Sequence, residues 1–295
     1  MPEAVSFSRL QKVFADHGFY CRKRWGQNFL VDDNIVRKII AAAGLSSTDV
    51  VVEIGTGAGT LTRALAQEAR LVITVEIDKR LIPVLNETLS SFSNVEVVFK
   101  DALRLDFDEL VVEKVTARFG SKEIVPYLVI GNIPYSVTTP LLLHLLQGRF
   151  NWSFLFIMIQ QEVARRLVAG PGSKDYGALS IAVQYYTTPK ILFRVPATVF
   201  YPRPEVDSAV VCLQRLREPA VKVPDEGVFF NLVRGAFGQR RKTILNALAG
   251  SRVAPELTRA AWMKILLAAR IDPERRGESL TIEEFAVLAR QFGKK

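Results

Sequence analysis

The chain carries a glycine-rich turn and several hydrogen-bond acceptors at the ends of apolar runs, where they could bind a ligand together. These residues are Gly55 and Gly57 in EIGTGAG, Glu76 in TVEID, Asp101 in VFKDA and Asn132 in VIGNIPY. If the apolar runs are strands of one parallel sheet, their carboxyl ends meet at one edge, which is where such sheets bind ligands. Glycine has no Cβ, so the backbone of the turn can approach that ligand closely.

The spacing of these residues indicates an adenosine ligand. The glycines follow the pattern G-x-G-x-G, whereas dinucleotide-binding proteins use G-x-G-x-x-G. Glu76 lies 21 residues after Gly55, where an acidic residue can bind both hydroxyls of a ribose. Asp101 could accept a hydrogen bond from an adenine amino group, although taken alone it is better interpreted as a solvated loop carboxylate. An adenosine without an evident phosphate-binding loop fits S-adenosylmethionine, and Glu53 could then bind the methionine amine.

The segment GNIPY at 131–135 fits the exocyclic amine of an adenine as the group that receives a methyl. That amine is a poor nucleophile because its lone pair is delocalised into the ring. The side-chain carbonyl of Asn132 and a backbone carbonyl, such as that of Ile133, could accept its N–H groups and free the lone pair. Pro134 stiffens the turn, and Tyr135 offers a ring on which a flipped base can stack. Catalysis would then come mostly from positioning.

The pattern of the chain predicts the elements that hold these residues. From residue 50 to about 160, short β-branched runs alternate with stretches of helical spacing, which indicates βαβ units and a mostly parallel sheet. KILFRV and SAVVCLQRL add two strands, and the chain after about residue 216 is helical, with Thr281 and Glu284 fitting a capping box. We therefore predict an α/β domain over 1–216, including a basic segment at 1–30, and a small all-helical domain over 217–295.

Composition narrows the class of protein. Of the 295 residues, 49% are hydrophobic and 23% charged, as is usual for a globular protein. The formal net charge of +9 suggests a polyanionic partner, nucleic acid before an anionic membrane, although a basic enzyme without such a partner would also fit. Two cysteines and two histidines, far apart in sequence, predict no metal site. No apolar run approaches a membrane span and no signal peptide is visible, so we expect a cytoplasmic protein.

Two basic groups could bind RNA. They are Arg22, Lys23 and Arg24 before GQNFL, and Arg240, Arg241 and Lys242 in the helical region. Charge runs are usually solvated surface. Here the two groups flank a proposed base pocket in sequence, which favours contacts with RNA phosphates, while shape and flipped bases would carry recognition.

Blocks across nearly the whole chain resemble ribosomal RNA adenine dimethyltransferases of the small-subunit, kasugamycin-sensitivity type. They include KRWGQNFLVD, VVEIGTGAGTLT, GNIPYSVTTP, VFYPRPEVDSAVV and FGQRRKTILNAL. The chain is similar, more distantly, to erythromycin-resistance methylases and mitochondrial transcription factor B proteins. Thr56 and Trp25 differ from residues common in the family, but neither replaces a group assigned to chemistry.

This resemblance implies a Rossmann-like class I methyltransferase and an activity. The family transfers methyl groups from S-adenosylmethionine to N6 of two adjacent adenines in the hairpin near the 3′ end of small-subunit rRNA. The resemblance also implies that Asn28 and Leu30 line the cofactor pocket, and that Phe200 lies opposite Tyr135 with the target adenine between the two rings. Without the family, Phe200 would be interpreted as a core aromatic. We expect rRNA as the partner, a monomer, and a role in small-subunit biogenesis.

Three alternatives stay open on the sequence alone. An adenine-N6 DNA methyltransferase shares the fold, the cofactor and the target chemistry, although no separate target-recognition domain is visible. A non-catalytic RNA-binding ribosome assembly factor would have a decayed cofactor pocket, and the intact row of acceptors argues against complete decay. An NAD-dependent oxidoreductase is disfavoured by the glycine spacing and by GNIPY.

Overall fold

The computed structural model describes residues 7–21, 26–121 and 125–293. Contacts between Cα atoms divide the chain into two compact units, which are described separately. The sheet unit comprises Met1–Ala164 and Lys190–Arg215, and the helical unit comprises Arg165–Pro189 and Leu216–Lys295. The domain boundary predicted at residue 216 stays a prediction; the contacts additionally group residues 165–189 with the C-terminal helices.

The strands have the following bounds in chain order: β1 Phe29–Leu30, β2 Val50–Ile54, β3 Leu71–Glu76, β4 Val95–Phe99, β5 Tyr127–Asn132, β6 Trp152–Gln160, β7 Thr187–Val195, β8 Phe200–Tyr201 and β9 Ser208–Arg215. Within the described ranges, seven of them form one sheet in the order β4-β3-β2-β5-β6-β9-β7, while β1 and β8 pair separately. The pairs from β4 to β6 are parallel and β9 runs antiparallel to β6. This confirms the predicted α/β class with a mostly parallel sheet.

The α-helices of the described residues are α1 Phe7–Asp16, α2 Asp33–Ala43, α3 Thr60–Glu68, α4 Ile82–Thr88, α5 Phe107–Phe119, α6 Thr138–Gln147, α7 Gln161–Val168, α8 Ala178–Tyr186, α9 Glu226–Phe237, α10 Ile244–Ala249, α11 Arg259–Ala268 and α12 Ile282–Phe292. Their ends follow local chemistry. Asp32 caps α2 by accepting from the backbone N–H groups of Asn34 and Ile35. The predicted capping box of Thr281 and Glu284 at the start of α12 is confirmed. None of these helices is long and apolar enough to cross a membrane.

The inner strands are buried on both faces, which explains why their sequences are almost continuously apolar. Every residue of β2 and of β3 is buried. Val51 and Val72 pack in one core cluster with Ile39 of α2 and Leu65 of α3. Because this core is packed on both sides, the register of the strands is fixed and their carboxyl ends stay aligned.

The strands β2 and β5 approach each other closely at their carboxyl ends. Ile54 lies opposite Gly131 in the parallel register. A Cβ on Gly131 would lie 2.6 Å from the carbonyl oxygen of Ile54, closer than real Cβ atoms come to other atoms. The glycine of GNIPY is therefore required by the packing of these strands.

The helical unit has an aromatic core. Phe229, Trp262 and Phe285 are completely buried. The hydroxyl of Tyr176 donates a hydrogen bond to the backbone carbonyl of Leu280 at 3.0 Å, which ties the segment before α8 to the segment before α12. These contacts explain why residues near 176 group with the C-terminal helices although they precede two strands of the sheet.

Candidate active site

A cavity of about 360 Å³ opens at the carboxyl ends of β2, β3 and β5. Most of the residues predicted for cofactor and target binding line it: Asn28, Leu30, Gly55, Gly57, Glu76, Asp101, Asn132, Pro134 and Tyr135. They come from different strand ends and from the segment around β1, so the sheet brings together residues that lie far apart in sequence. The volume of the cavity is within the range of about 300–1,000 Å³ that is usual for small-molecule sites.

The glycine-rich turn forms one wall of the cavity. Gly55 has φ of 87°, a left-handed conformation that side chains disfavour, and a Cβ there would lie 3.0 Å from the carbonyl oxygen of Asn132. Gly57 is also left-handed and its N–H donates to Glu76 Oε2 at 3.0 Å. The turn is thereby joined to the ends of both neighbouring strands.

Glu76 is held rigidly by the backbone. Its Oε1 accepts from the N–H groups of Ile77 and Asp78, both at 2.9 Å, and its Oε2 accepts from Gly57. Burial raises the pKa of Glu76, and these three backbone hydrogen bonds work in the opposite direction. A carboxylate has about four lone-pair sites, so acceptor capacity is left for a ligand in the cavity that Glu76 lines.

Asn132 is oriented by a single hydrogen bond. Its Nδ2 donates to the backbone carbonyl of Asn28 at 2.8 Å. Within the described part of the chain no donor reaches Asn132 Oδ1, and the residue lines the cavity half-buried. The side chain therefore offers an unused carbonyl acceptor with a fixed direction, and its binding of a target amine stays a prediction.

Tyr135 is half-buried on the cavity wall, and its ring is fixed at the far end. Its hydroxyl hydrogen-bonds the hydroxyl of Ser208 on β9 at 2.9 Å. Burial raises the pKa of Tyr135, so it stays neutral at physiological pH. Pro134 precedes a short 3₁₀ turn over Tyr135–Val137, and its carbonyl accepts from the hydroxyl of Thr138 at 3.2 Å. The ring is therefore held in place by contacts within the protein.

Glu53 does not line the cavity, contrary to the contact with the methionine amine that we expected. It is fully buried, and its Oε2 accepts from the hydroxyls of Thr62 at 2.5 Å and Thr74 at 2.6 Å. Its Oε1 has no partner among the described residues. Burial, with a smaller contribution from the charge of Glu76, raises the pKa of Glu53 to about 8. Glu53 is therefore mostly neutral at pH 7, and its carboxyl group joins α3 to β3 through these two hydroxyls.

Phe200 also lies outside the cavity lining. It is only 4% exposed and packs in the core cluster that contains Leu30. The two residues lie opposite each other where β1 pairs with β8. The structure thus does not place this ring opposite Tyr135 on an open surface. This position is the one expected for Phe200 from the sequence without the family resemblance, namely that of an aromatic residue in the core.

Of the two basic groups predicted to bind RNA, the structure describes only the second, at 240–242. Arg22, Lys23 and Arg24 lie outside the described residues. Arg240 pairs with Glu278 and donates to the backbone carbonyl of Lys174 at 2.8 Å, all within the helical unit. Arg241 and Lys242 are exposed and form no ion pair among the residues that the structure describes.

Several cavity residues were not predicted from the sequence. Gln27 donates from Nε2 to Asp78 Oδ2 at 2.9 Å, beside Arg80, whose Nη2 donates to the same oxygen at 2.5 Å. Burial alone would raise the pKa of Asp78, but the hydrogen bonds from Arg80 and Gln27 lower it overall. Ile77 lines the cavity and is 50% exposed, which is unusual for isoleucine and suits the face of an aromatic ligand. The sequence marks Ile77 only as an apolar residue between two acidic residues, in EID.

Comparison with known proteins agrees with this geometry. The family model described as ribosomal RNA adenine dimethylase matches residues 18–287. Ribosomal RNA small subunit methyltransferase A of Pelotomaculum thermopropionicum is 53% identical over 283 residues, which are 96% of this chain and 95% of that protein. The protein of the same name from Moorella thermoacetica is 50% identical, over 98% of this chain and 99% of the relative.

Two solved structures share the fold. A dimethyladenosine transferase from Plasmodium falciparum superposes with a TM-score of 0.74 at 26% identity, over 90% of this chain and 98% of that one. The 23S rRNA methyltransferase ErmE gives a TM-score of 0.65 at 26% identity, over 90% and 100%. The predicted Rossmann-like methyltransferase fold is thereby confirmed. The extent of the family match and the identity to full-length relatives show that the protein belongs to the ribosomal RNA adenine dimethylase family.

Proposed function

We propose that the protein is an S-adenosylmethionine-dependent methyltransferase that dimethylates N6 of adenine in ribosomal RNA. One observation carries the proposal. The amide of Asn132 is fixed by Asn28 with its carbonyl unused, in the same cavity as Glu76, Asp101 and the glycine-rich turn. An acceptor for a target amine and acceptors for an adenosine ligand are therefore combined in one site.

The residues of the cavity fit S-adenosylmethionine. Glu76 is positioned by three backbone N–H groups to accept from the ribose hydroxyls, and Ile77 offers an apolar surface for the adenine ring. The carboxylate of Asp101 can accept from the adenine amino group, and the left-handed Gly55 lets the backbone come close. When bound, S-adenosylmethionine supplies an electrophilic methyl group on a sulfonium.

Asn132 and Tyr135 act on the target adenine. Asn132 Oδ1 accepts a hydrogen bond from the N6 amine, which favours pyramidal geometry and directs the lone pair. As an uncharged amide it does this without first removing a proton. A monomethylated amine keeps one N–H, so Asn132 can hold it for the second transfer. In each transfer the methyl leaves the sulfonium, which becomes a neutral thioether, and one proton displaced from nitrogen is released to water. Tyr135 stacks on the flipped base.

The proposal extends to the RNA substrate, the oligomeric state and the compartment in which the protein acts. The names of the relatives support small-subunit rRNA as the substrate. We propose two adjacent adenines of the hairpin near its 3′ end as the targets, with the helical region 217–295 binding RNA. We further propose that the protein acts as a monomer in the cytoplasm, where ribosomal subunits are assembled, and contributes to small-subunit biogenesis.

Transfer of tritiated methyl from S-adenosylmethionine tests this function. The acceptors are naked small-subunit rRNA, immature small subunits and duplex DNA, and the products are digested to nucleosides and identified by mass spectrometry. We expect N6,N6-dimethyladenosine from one of the RNA acceptors and no product from DNA. Methylation of DNA alone would identify a DNA methyltransferase, and RNA binding without any transfer would identify a non-catalytic assembly factor.

A further inference from the structure

The helical unit contains a cavity of its own, which none of the residues assigned above lines. It has a volume of about 360 Å³ and lies between α9, α10 and the turn at 250–253. Asn231, Arg234, Gln239, Ser251 and Arg252 contribute its polar lining. Gln239 immediately precedes the basic run at 240–242, so the cavity and that run adjoin in sequence.

The walls of this cavity are held close together by small groups. A Cβ on Gly235 would lie 2.7 Å from Val253 Cγ2 and 3.3 Å from Ser251 Oγ, so only glycine lets α9 pack against the turn this tightly. Ser251 Oγ donates to the backbone carbonyl of Leu248 at 2.7 Å and accepts from the N–H of Val253 at 3.3 Å. The turn is therefore ordered by its own hydrogen bonds.

The cavity is positively charged and is not neutralised from within. Arg234 and Arg252 line it, and its described lining includes no carboxylate. Arg234 Nη2 donates to Asn231 Oδ1 at 2.5 Å, and neither arginine forms an ion pair with any described residue. Guanidinium groups bind phosphate oxygens through planar, bidentate hydrogen bonds. The amide of Gln239 can both donate to and accept from the edge of a base.

We propose that this cavity binds one unpaired nucleotide of the substrate RNA, with Arg234 and Arg252 on its phosphate. The inference rests on the proposed function, since it takes the ligand to be part of the rRNA. The small volume, at the lower end of about 300–1,000 Å³ for ligand sites, suits a single nucleotide and excludes a duplex. The adjoining exposed Arg241 and Lys242 continue the positive surface along which an RNA strand would run.

The test compares Arg234→Gln/Arg252→Gln with Lys264→Gln, an exposed cation of α11 that does not line the cavity. Fluorescence anisotropy with a labelled small-subunit rRNA hairpin fragment is measured at several salt concentrations, and thermal melting shows that the variants fold. We expect the double variant to bind at least about tenfold more weakly than the lysine variant. Its log–log salt slope should fall by roughly 0.7 for each phosphate that the variant no longer neutralises.

Methyl transfer by the wild-type protein to the same fragment separates the two proposals. If the wild type transfers methyl groups while the double variant keeps the affinity and slope of Lys264→Gln, the cavity proposal alone is overturned. If the wild type binds the RNA without transfer and the double variant loses binding, the cavity proposal stands and the proposed function fails. A wild type that binds no RNA overturns both.

Discussion

The side-chain amide of Asn132 donates to the backbone carbonyl of Asn28 at 2.8 Å, although the two residues lie 104 positions apart in the chain. The end of β5 and the segment before β1 are therefore joined at the cavity. The same bond decides which way the amide points, because an asparagine that donates from Nδ2 must present Oδ1 elsewhere. The proposed acceptor for the target amine is therefore positioned by the backbone of Asn28, not by its side chain.

Replacing Asn132 with alanine should reduce kcat/KM for methyl transfer by about 10²-fold or more, because the target amine loses its acceptor and its alignment. Methyl transfer at saturating S-adenosylmethionine measures the effect, with thermal melting as a check on folding. Asn151→Ala, an exposed asparagine of the sheet unit that does not line the cavity, is the matched control and should keep wild-type activity. Near-normal turnover of the Asn132 variant would remove it from the mechanism.

Glu76→Ala should weaken S-adenosylmethionine binding more than RNA binding. Hydrogen bonds to a charged group are worth about 1.5–3 kcal/mol, so losing one of them should raise the Kd of the cofactor about tenfold or more. Calorimetry with S-adenosylmethionine and anisotropy with RNA give the two constants. Glu68→Ala, an exposed acid on α3, should leave both unchanged. Equal cofactor affinity in the two variants would contradict the role of Glu76.

Glu53 should make the protein less stable as the pH rises. Its pKa is about 8 in the folded state, above the ordinary value of 4.5, so the folded protein binds more protons than the unfolded chain between these values. The free energy of unfolding should therefore fall by at most about 1.4 kcal/mol per pH unit from about pH 5 to pH 8. Denaturant titrations of Glu53→Gln should lack this slope, and Glu68→Gln should retain it. Identical slopes in all three proteins would mean that Glu53 titrates normally.

Substitutions of Tyr135 and Phe200 should have different effects, because Tyr135 is proposed to bind the base whereas Phe200 packs in the core. Tyr135→Ala removes a stacking surface worth about 1–3 kcal/mol per base, so methyl transfer at limiting RNA should fall about tenfold while cofactor affinity is kept. Phe200→Leu keeps most of the side-chain volume in the core, so it should leave transfer close to wild type if Phe200 only packs. A loss of transfer with an unchanged melting temperature would instead show that Phe200 reaches the adenine.

Arg240 should behave differently from the two basic residues that follow it. Arg240→Gln removes the interactions with Glu278 and Lys174 and should lower the melting temperature. Arg241→Gln/Lys242→Gln should keep the melting temperature and reduce the log–log salt slope of RNA binding by roughly 0.7–0.9 for each phosphate that these side chains neutralise in the wild type. An unaltered slope in a folded double variant would show that these two side chains do not touch RNA.

The sheet and most of the cavity were predictable because strand ends are marked by abrupt changes of residue type. The apolar runs before Glu76 and Asn132 end where β3 and β5 end. Glu53 was misplaced for a geometric reason. It belongs to the buried strand β2, which continues to Ile54, and strand residues point to alternating faces that a sequence alone does not assign.

Other elements were beyond prediction because their signals are weak or nonlocal. Helix α5 was not assigned from the sequence, and apolar residues interrupt its polar face, so its periodicity is poor. The grouping of residues 165–189 with the helical unit depends on interactions such as that of Tyr176 with Leu280, which join distant parts of the chain. Gln27 gave no signal because its partner Asp78 lies 51 residues away.

The close approach of Ile54 and Gly131 affects how substitutions in GNIPY should be understood. Any side chain at 131 would collide with the neighbouring backbone, so a relative that had lost all activity would still need glycine there in order to fold. Asn132 carries no such requirement, since its side chain lines the cavity and only half of it is buried. Of these two adjacent residues, Gly131 therefore reports whether the strands pack in this way, and Asn132 reports on the role proposed for it in methyl transfer.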